Sequence, residues 1–261
     1  MILDASCELE FNAPAETALH LMLRPRSGIA QWVSREQYTL HPLPMISEFT
    51  DSLGNLCQRT VMGPGDFSIK CQCRVNTFDE IDVDYSAWYM PPQYLPDAVI
   101  QFLLPSRYCP SDTLGDLAEE ITEGKSPGYG QCEAIRAWIH EHIKYEYGQS
   151  NASTTAADTA QTKVGVCRDF AHLGISLCRA LNIPARMVVG YLYRLEPMDL
   201  HAWFEAYVGG RWYTFDATQS HPRGNRIAIA FGRDAADVAL VTQFGPVTMK
   251  SMKVTVEAAP E

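Results

Sequence analysis

The chain has 261 residues, 46% hydrophobic, 10% aromatic and 20% charged, a composition that suits a globular protein with a buried core and excludes a disordered or fibrous one. Its formal net charge is -10, and no cluster of Lys and Arg reverses that locally, which argues against nucleic acid or an anionic membrane as partner. The opening MILDASCELEFNAP puts Asp4, Glu8 and Glu10 where a secretory leader needs a positive and then an apolar stretch, and no apolar run of about 18 residues follows, so a cytoplasmic location is expected.

Residues 1–100 carry short alternating runs at 8–11, 58–62, 67–78 and 81–85, separated by turn-forming residues at 51–54 and 63–66, and read as an antiparallel β domain. The Pro-dense stretch 91–105 marks the domain boundary, leaving 101–261 as a second, catalytic domain with a C-terminal strand extension. Helical spacing covers 112–122 and 130–143; a polar, small-residue loop at 148–162 follows. The segment GVCRDFAHLGISLCRALNIPAR predicts a helix that begins close to Cys167 and is stopped at 182–184. Strands follow at 185–193, 202–208 and 211–215, the last two joined by Gly209 and Gly210, and a further strand spans 248–257. The fold class is α+β, with no internal repeat.

The eight cysteines are scattered through a chain that needs no cross-links and read as reduced thiols. Cys71 and Cys73 lack the second pair that a zinc site would supply, and on a strand both face one side as core fillers. His140 and His142 diverge on a helix, and neither an HExxH nor a calcium loop is present, so no metal or other cofactor is expected.

Cys167 is the distinctive thiol. At a helix start, unpaired backbone N–H groups and the positive end of the dipole favour its thiolate, and Gly165 just before it leaves room for a substrate backbone. Cys178 lies roughly 16 Å further along the same helix, too far to share the site, and His172 points away from the Cys167 face. A base comes instead from the hairpin. With a two-residue turn at 209–210, Val208 faces Arg211, Trp203 faces Asp216 and His201 faces Thr218, so His201 and Asp216 are diagonal neighbours on one face, with Trp203 beside them. The apolar set Ala202, Phe204, Ala206, Val208, Tyr213 and Phe215 on the opposite face sets this register. Nucleophile, base and orienting carboxylate are thereby provided by Cys167, His201 and Asp216.

At GVCRDFAH, with HAWFEAYVGGRWYTFDAT downstream, the sequence resembles the transglutaminase-like superfamily, in particular its bacterial cysteine-protease-like branch. The resemblance runs from about residue 106 to 216. G-V-C, H-A-W and the Asp of F-D-A-T align Cys167, His201 and Asp216 with the family's catalytic Cys, His and Asp, and GYG, KYEYGQSNASTTAADT and ALNIPARMVVGYL are also similar to its core. It implies a papain-like core of helices packed on an antiparallel sheet, and extends to the N-terminal β region and the GRDAADV segment of bacterial members.

The expected chemistry is acyl transfer at an amide or peptide bond through a thioester, with hydrolysis the leading outcome and a peptide, protein or small amide as substrate. A glutamine transglutaminase using an amine acceptor is the alternative, and a non-catalytic peptide-binding module the second. The Cys167 backbone N–H would meet oxyanion charge, with Tyr147 and Gln161, which precede the nucleophile, as candidates for the second donor. The sequence leaves the oligomeric state open.

Overall fold

A computed structural model describes residues 1–28 and 30–260. The N-terminal third is built from six strands: β1 (Ile2–Ala13), β2 (Thr17–Leu21), β3 (Gln31–His41), β4 (Ile46–Thr50), β5 (Leu56–Met62) and β6 (Gly65–Thr77). In β1 and β6 nearly every second residue is buried, the period that a half-covered strand demands. Cys7 pairs across the ladder with Cys71, and with Cys73 both lie sealed in the core, where burial pushes the Cys7 and Cys73 thiols up to about 12.

Short α1 (Asp97–Ile100) leads into α2 (Gly115–Thr122) and α3 (Tyr129–His142). Then come β7 (Lys144–Tyr145), α4 (Ala156–Thr162), β8 (Val164–Gly165) and α5 (Cys167–Ala180). The chain continues through β9 (Ala185–Leu192), β10 (His201–Val208), β11 (Arg211–Phe215), β12 (Arg226–Gly232), β13 (Val241–Gln243) and β14 (Thr248–Ala258). The α+β class is therefore the observed one. The sheet orders are β14-β1-β6-β3, β13-β2-β5-β4 and β11-β10-β9-β12, so the last two strands join the N-terminal sheets. None of the described helices is long and apolar enough to cross a membrane.

Two sequence expectations are not met. Residues 81–85 form no strand: Asp84 accepts hydrogen bonds from the Ser86 backbone and hydroxyl in a tight turn, and Val83 and Tyr85 remain exposed. The loop expected at 148–162 ends in α4, whose start is capped reciprocally by Thr155 and Asp158.

Helix α5 is the centre of the second half. It packs on β9 and β10 on one side and on α2, α3 and α4 on the other, so residues 169–179 are all buried. A helix enclosed on all sides must satisfy its polar groups internally. Arg179 does so through five hydrogen bonds, to Ala185 O twice, Leu104 O, Ser106 Oγ and Arg233 O.

Candidate active site

Three elements converge at the N-terminal tip of α5. Cys167 is the first residue of the helix and half-buried, the one free cysteine among eight that is not fully buried. The carboxylate of Asp169 accepts the Val166 N–H at 2.9 Å and is itself paired with Arg168 at 2.9 Å, so this acid caps the helix while its charge is neutralised. The helix start is thus held rigidly without an uncompensated negative charge beside the thiol.

Gly165 has a different role from the one its position suggests. A β-carbon there would lie 2.7 Å from Asp169 Cβ, so the capping acid fills the space expected to admit a substrate backbone. The glycine is required by this close packing.

The β10–β11 hairpin supplies the other two groups. Gly209 and Gly210 have φ of +57° and +85°, the left-handed conformations that a tight two-residue turn needs, and Val208 pairs with Arg211 and Phe204 with Phe215. In this register His201 Nε2 donates to Asp216 Oδ2 at 2.7 Å, both side chains being almost completely buried. With Nε2 so engaged, the nitrogen left for the Cys167 thiol is Nδ1, which makes no other hydrogen bond among the described residues.

The electrostatics follow from this arrangement. Burial opposes a charge on His201, but the Asp216 carboxylate and its hydrogen bond, reinforced by Cys167, outweigh it and push the imidazole up to about 9. Burial likewise opposes the charge on Asp216, yet Arg226, His201 and Thr218 together hold its carboxyl well below the usual range. Asp216 Oδ1 accepts the Thr218 N–H at 3.0 Å and its hydroxyl at 2.7 Å, while Arg226 Nη2 stands 2.8 Å from Oδ2. Trp203, 3% exposed, stacks on His201 with centroids 6.2 Å apart and has the Arg226 guanidinium 5.1 Å from its ring, so it screens the pair from water.

The oxyanion candidates fare differently. Gln161 lies on the exposed side of α4, and Tyr147 is 53% exposed, packing edge-on at 5.5 Å against Tyr145. The residue at the helix tip is Tyr145. Its strand pairs in parallel with β8, placing Tyr145 opposite Gly165, and its ring packs 5.7 Å from Phe170. Burial, then the adjoining Cys167 and Tyr147, push the Tyr145 phenol upward, against the opposing influence of the Cys167 backbone N–H. Alternation along KYEYG links Tyr145 to Tyr147, the only sequence signal for it. Thr218 is marked by its register opposite His201, whereas Arg226 has no local signal. Among the described residues no group of three side chains is arranged to hold a metal ion.

Residues 115–217 match the transglutaminase-like superfamily. A crystal structure from Cytophaga hutchinsonii, described as a candidate cysteine protease, is 35% identical, superimposes with a TM-score of 0.90 and covers 100% of this chain and 91% of its own. An uncharacterized protein of Mycobacterium leprae is 30% identical over 153 residues, 55% of this chain and 54% of its own length. An uncharacterized protein of Mycobacterium tuberculosis is 29% identical over 163 residues, 57% of this chain and 47% of its own. The chain spans about half the length of these curated relatives. Matched by the family across α2 to β11, and by a relative along its whole length, the chain belongs to the transglutaminase-like superfamily.

Proposed function

We propose that this protein is a cysteine-dependent acyl-transfer enzyme acting on amide or peptide bonds, with Cys167 as nucleophile, His201 as acid and base, and Asp216 as the group that orients and charges His201. The observation that carries it is a half-buried thiol at the first turn of α5, beside an imidazole whose far nitrogen is 2.7 Å from a buried carboxylate.

The Cys167 thiolate adds to the amide carbonyl carbon, and negative charge moves to the carbonyl oxygen. The Cys167 N–H receives that charge, with the Tyr145 hydroxyl as the second donor in place of Tyr147 or Gln161. Imidazolium Nδ1 gives its proton to the amide nitrogen, the C–N bond breaks, and a thioester and a free amine result. His201 then takes a proton from water as that water attacks the thioester, releasing a carboxylic acid and restoring the thiolate–imidazolium pair. Hydrolysis is favoured over amine transfer because the tip of α5 is open: Tyr145 and Tyr147 beside it are 40% and 53% exposed.

The test begins with iodoacetamide near pH 6, mapped by mass spectrometry. Cys167 is expected to alkylate well before the other seven thiols, and uniform slow labelling would favour a peptide-binding module. Wild type and Cys167→Ala are then incubated with peptide and glutamine-containing substrates and a labelled amine. Release of acid exceeding amine incorporation is expected, and only in the wild type; the reverse ratio would make the protein a transglutaminase.

A further inference from the structure

Arg226 opens β12, the edge strand two positions from β10, which carries His201, in the order β11-β10-β9-β12. Its side chain is 7% exposed, and a buried guanidinium is costly unless its donors are used. Arg179 shows how this chain treats a structural arginine, with five hydrogen bonds. Among the described residues Arg226 makes one, from Nε to Arg223 O at 2.8 Å, and neither Nη1 nor Nη2 forms another. What it does have is a charge contact: Nη2 stands 2.8 Å from Asp216 Oδ2, the same oxygen that accepts His201 Nε2. An arginine kept buried with its fork unused is kept for its charge and its place.

We propose that Arg226 is a positioning residue for the Cys167 site, holding Asp216 as an oriented, ionised carboxylate and thereby setting the pH range over which the thiolate–imidazolium pair exists. The inference rests on the acyl-transfer reading. The other groups around Asp216 do not substitute for it. From α3, Arg136 is committed to Glu133 by hydrogen bonds of 2.7 and 2.9 Å and to Gln219 O at 2.8 Å, and His140 to Ala217 O at 3.1 Å. Arg223 binds Gln219 Oε1 and Tyr193 O, beside Arg194; from β10 comes His201 and from α5 Cys167. Beside His201 itself, Arg226 is the cation that touches the carboxylate among the described residues.

Removing the charge has two effects of one direction. Asp216 takes up a proton at higher pH, which raises the acid limb of thiolate formation. While ionised, Asp216 meets no competing cation and holds the imidazolium to higher pH, which raises the alkaline limb.

The experiment is the pH dependence of Cys167 alkylation by iodoacetamide, which reads the acid limb, and of the His201 ring signals by NMR, which reads the alkaline limb, in wild type, Arg226→Gln and Arg226→Lys, with thermal melting of each. Arg226→Gln is expected to move both limbs upward by about one pH unit, and Arg226→Lys to leave the limbs in place with a plateau rate about tenfold lower, because charge is kept and orientation lost. A merely structural arginine would lower the melting temperature and leave both limbs where they are; coincident limbs in wild type and Arg226→Gln overturn the proposal. Should Arg226→Gln not fold, Arg226→Lys decides alone: a shifted profile or an undiminished plateau overturns it. Absence of selective Cys167 labelling in the wild type would instead remove the acyl-transfer reading, so the two failures are distinct.

Discussion

Helix α5 carries a cysteine, a histidine and an aspartate around it twice, once at its tip and once at its middle, and only one grouping is arranged for chemistry. At the middle, His172 is fully buried and stacked on Tyr108 at 5.1 Å, and its Nε2 accepts the Ala235 N–H at 3.1 Å. Cys109, also sealed, donates to the His172 carbonyl, and Asp234 accepts the N–H groups of Tyr108 and Ala236 at 2.8 and 2.9 Å. That carboxylate is committed to backbone, so burial dominates at the imidazole and lowers His172 to about 4; burial likewise pushes the Cys109 thiol up to about 12. At the tip the carboxylate is aimed at the ring instead, and His201 rises to about 9. Identical residue types thus differ in chemistry according to what the acid accepts from.

The sharpest way to break this contrast is to exchange the acids' roles. Asp216→Asn is expected to lower acyl transfer, or Cys167 alkylation at neutral pH, by about 10³–10⁴-fold, because the amide neither charges nor orients the ring. Asp234→Asn should leave that rate alone and affect only melting; comparable losses in both would erase the distinction. Next in size, Tyr145→Phe is expected to lower turnover by about 10²-fold without slowing alkylation, since a lost oxyanion donor matters only when a carbonyl is attacked.

The smallest effects are in stability, and the two histidines should act with opposite sign. His201 is raised from 6.5 to about 9, so its contribution is complete below about pH 6.5 and is lost as pH rises through 9. His172 is lowered from 6.5 to about 4, so its contribution is complete above about pH 6.5 and is lost as pH falls through 4. Each amounts to roughly 3 kcal/mol over its window. Urea midpoints measured from pH 4 to 9 should flatten on the alkaline side in His201→Phe and on the acid side in His172→Phe. Parallel curves for the two variants would contradict the assignment.

The hairpin was readable because two independent signals agreed: glycines in a two-residue turn, and an apolar face from Ala202 to Phe215 that admits one register. Strand β4 carried no such signal, since all five of its residues are exposed and nothing alternates. Strand β3 is equally hard to see, a sheet-edge strand along which residues such as Trp32 and Arg35 are uncovered. The misread run at 81–85 shows the converse, alternation without a neighbouring strand to pair with. Within the site, residues close in sequence to Cys167 or Asp216 could be placed by local geometry, whereas Arg226 arrives on β12 after an irregular turn whose path no periodicity records. Tyr145 depends on a two-residue parallel bridge, so short that its one trace in the sequence is the alternation with Tyr147.

The ladder between β1 and β14 has a consequence for how the chain assembles. Ser6 pairs with Thr255, and their hydroxyls bond at 2.8 Å between residues 249 positions apart in the chain. A ribosome releases residues 2–13 long before 248–258, so until synthesis is nearly finished that edge of β1 is a row of unmatched amides, open to strands of neighbouring nascent chains. Closure by so distant a segment makes for slow folding, with sheet completion following the local helices around α5.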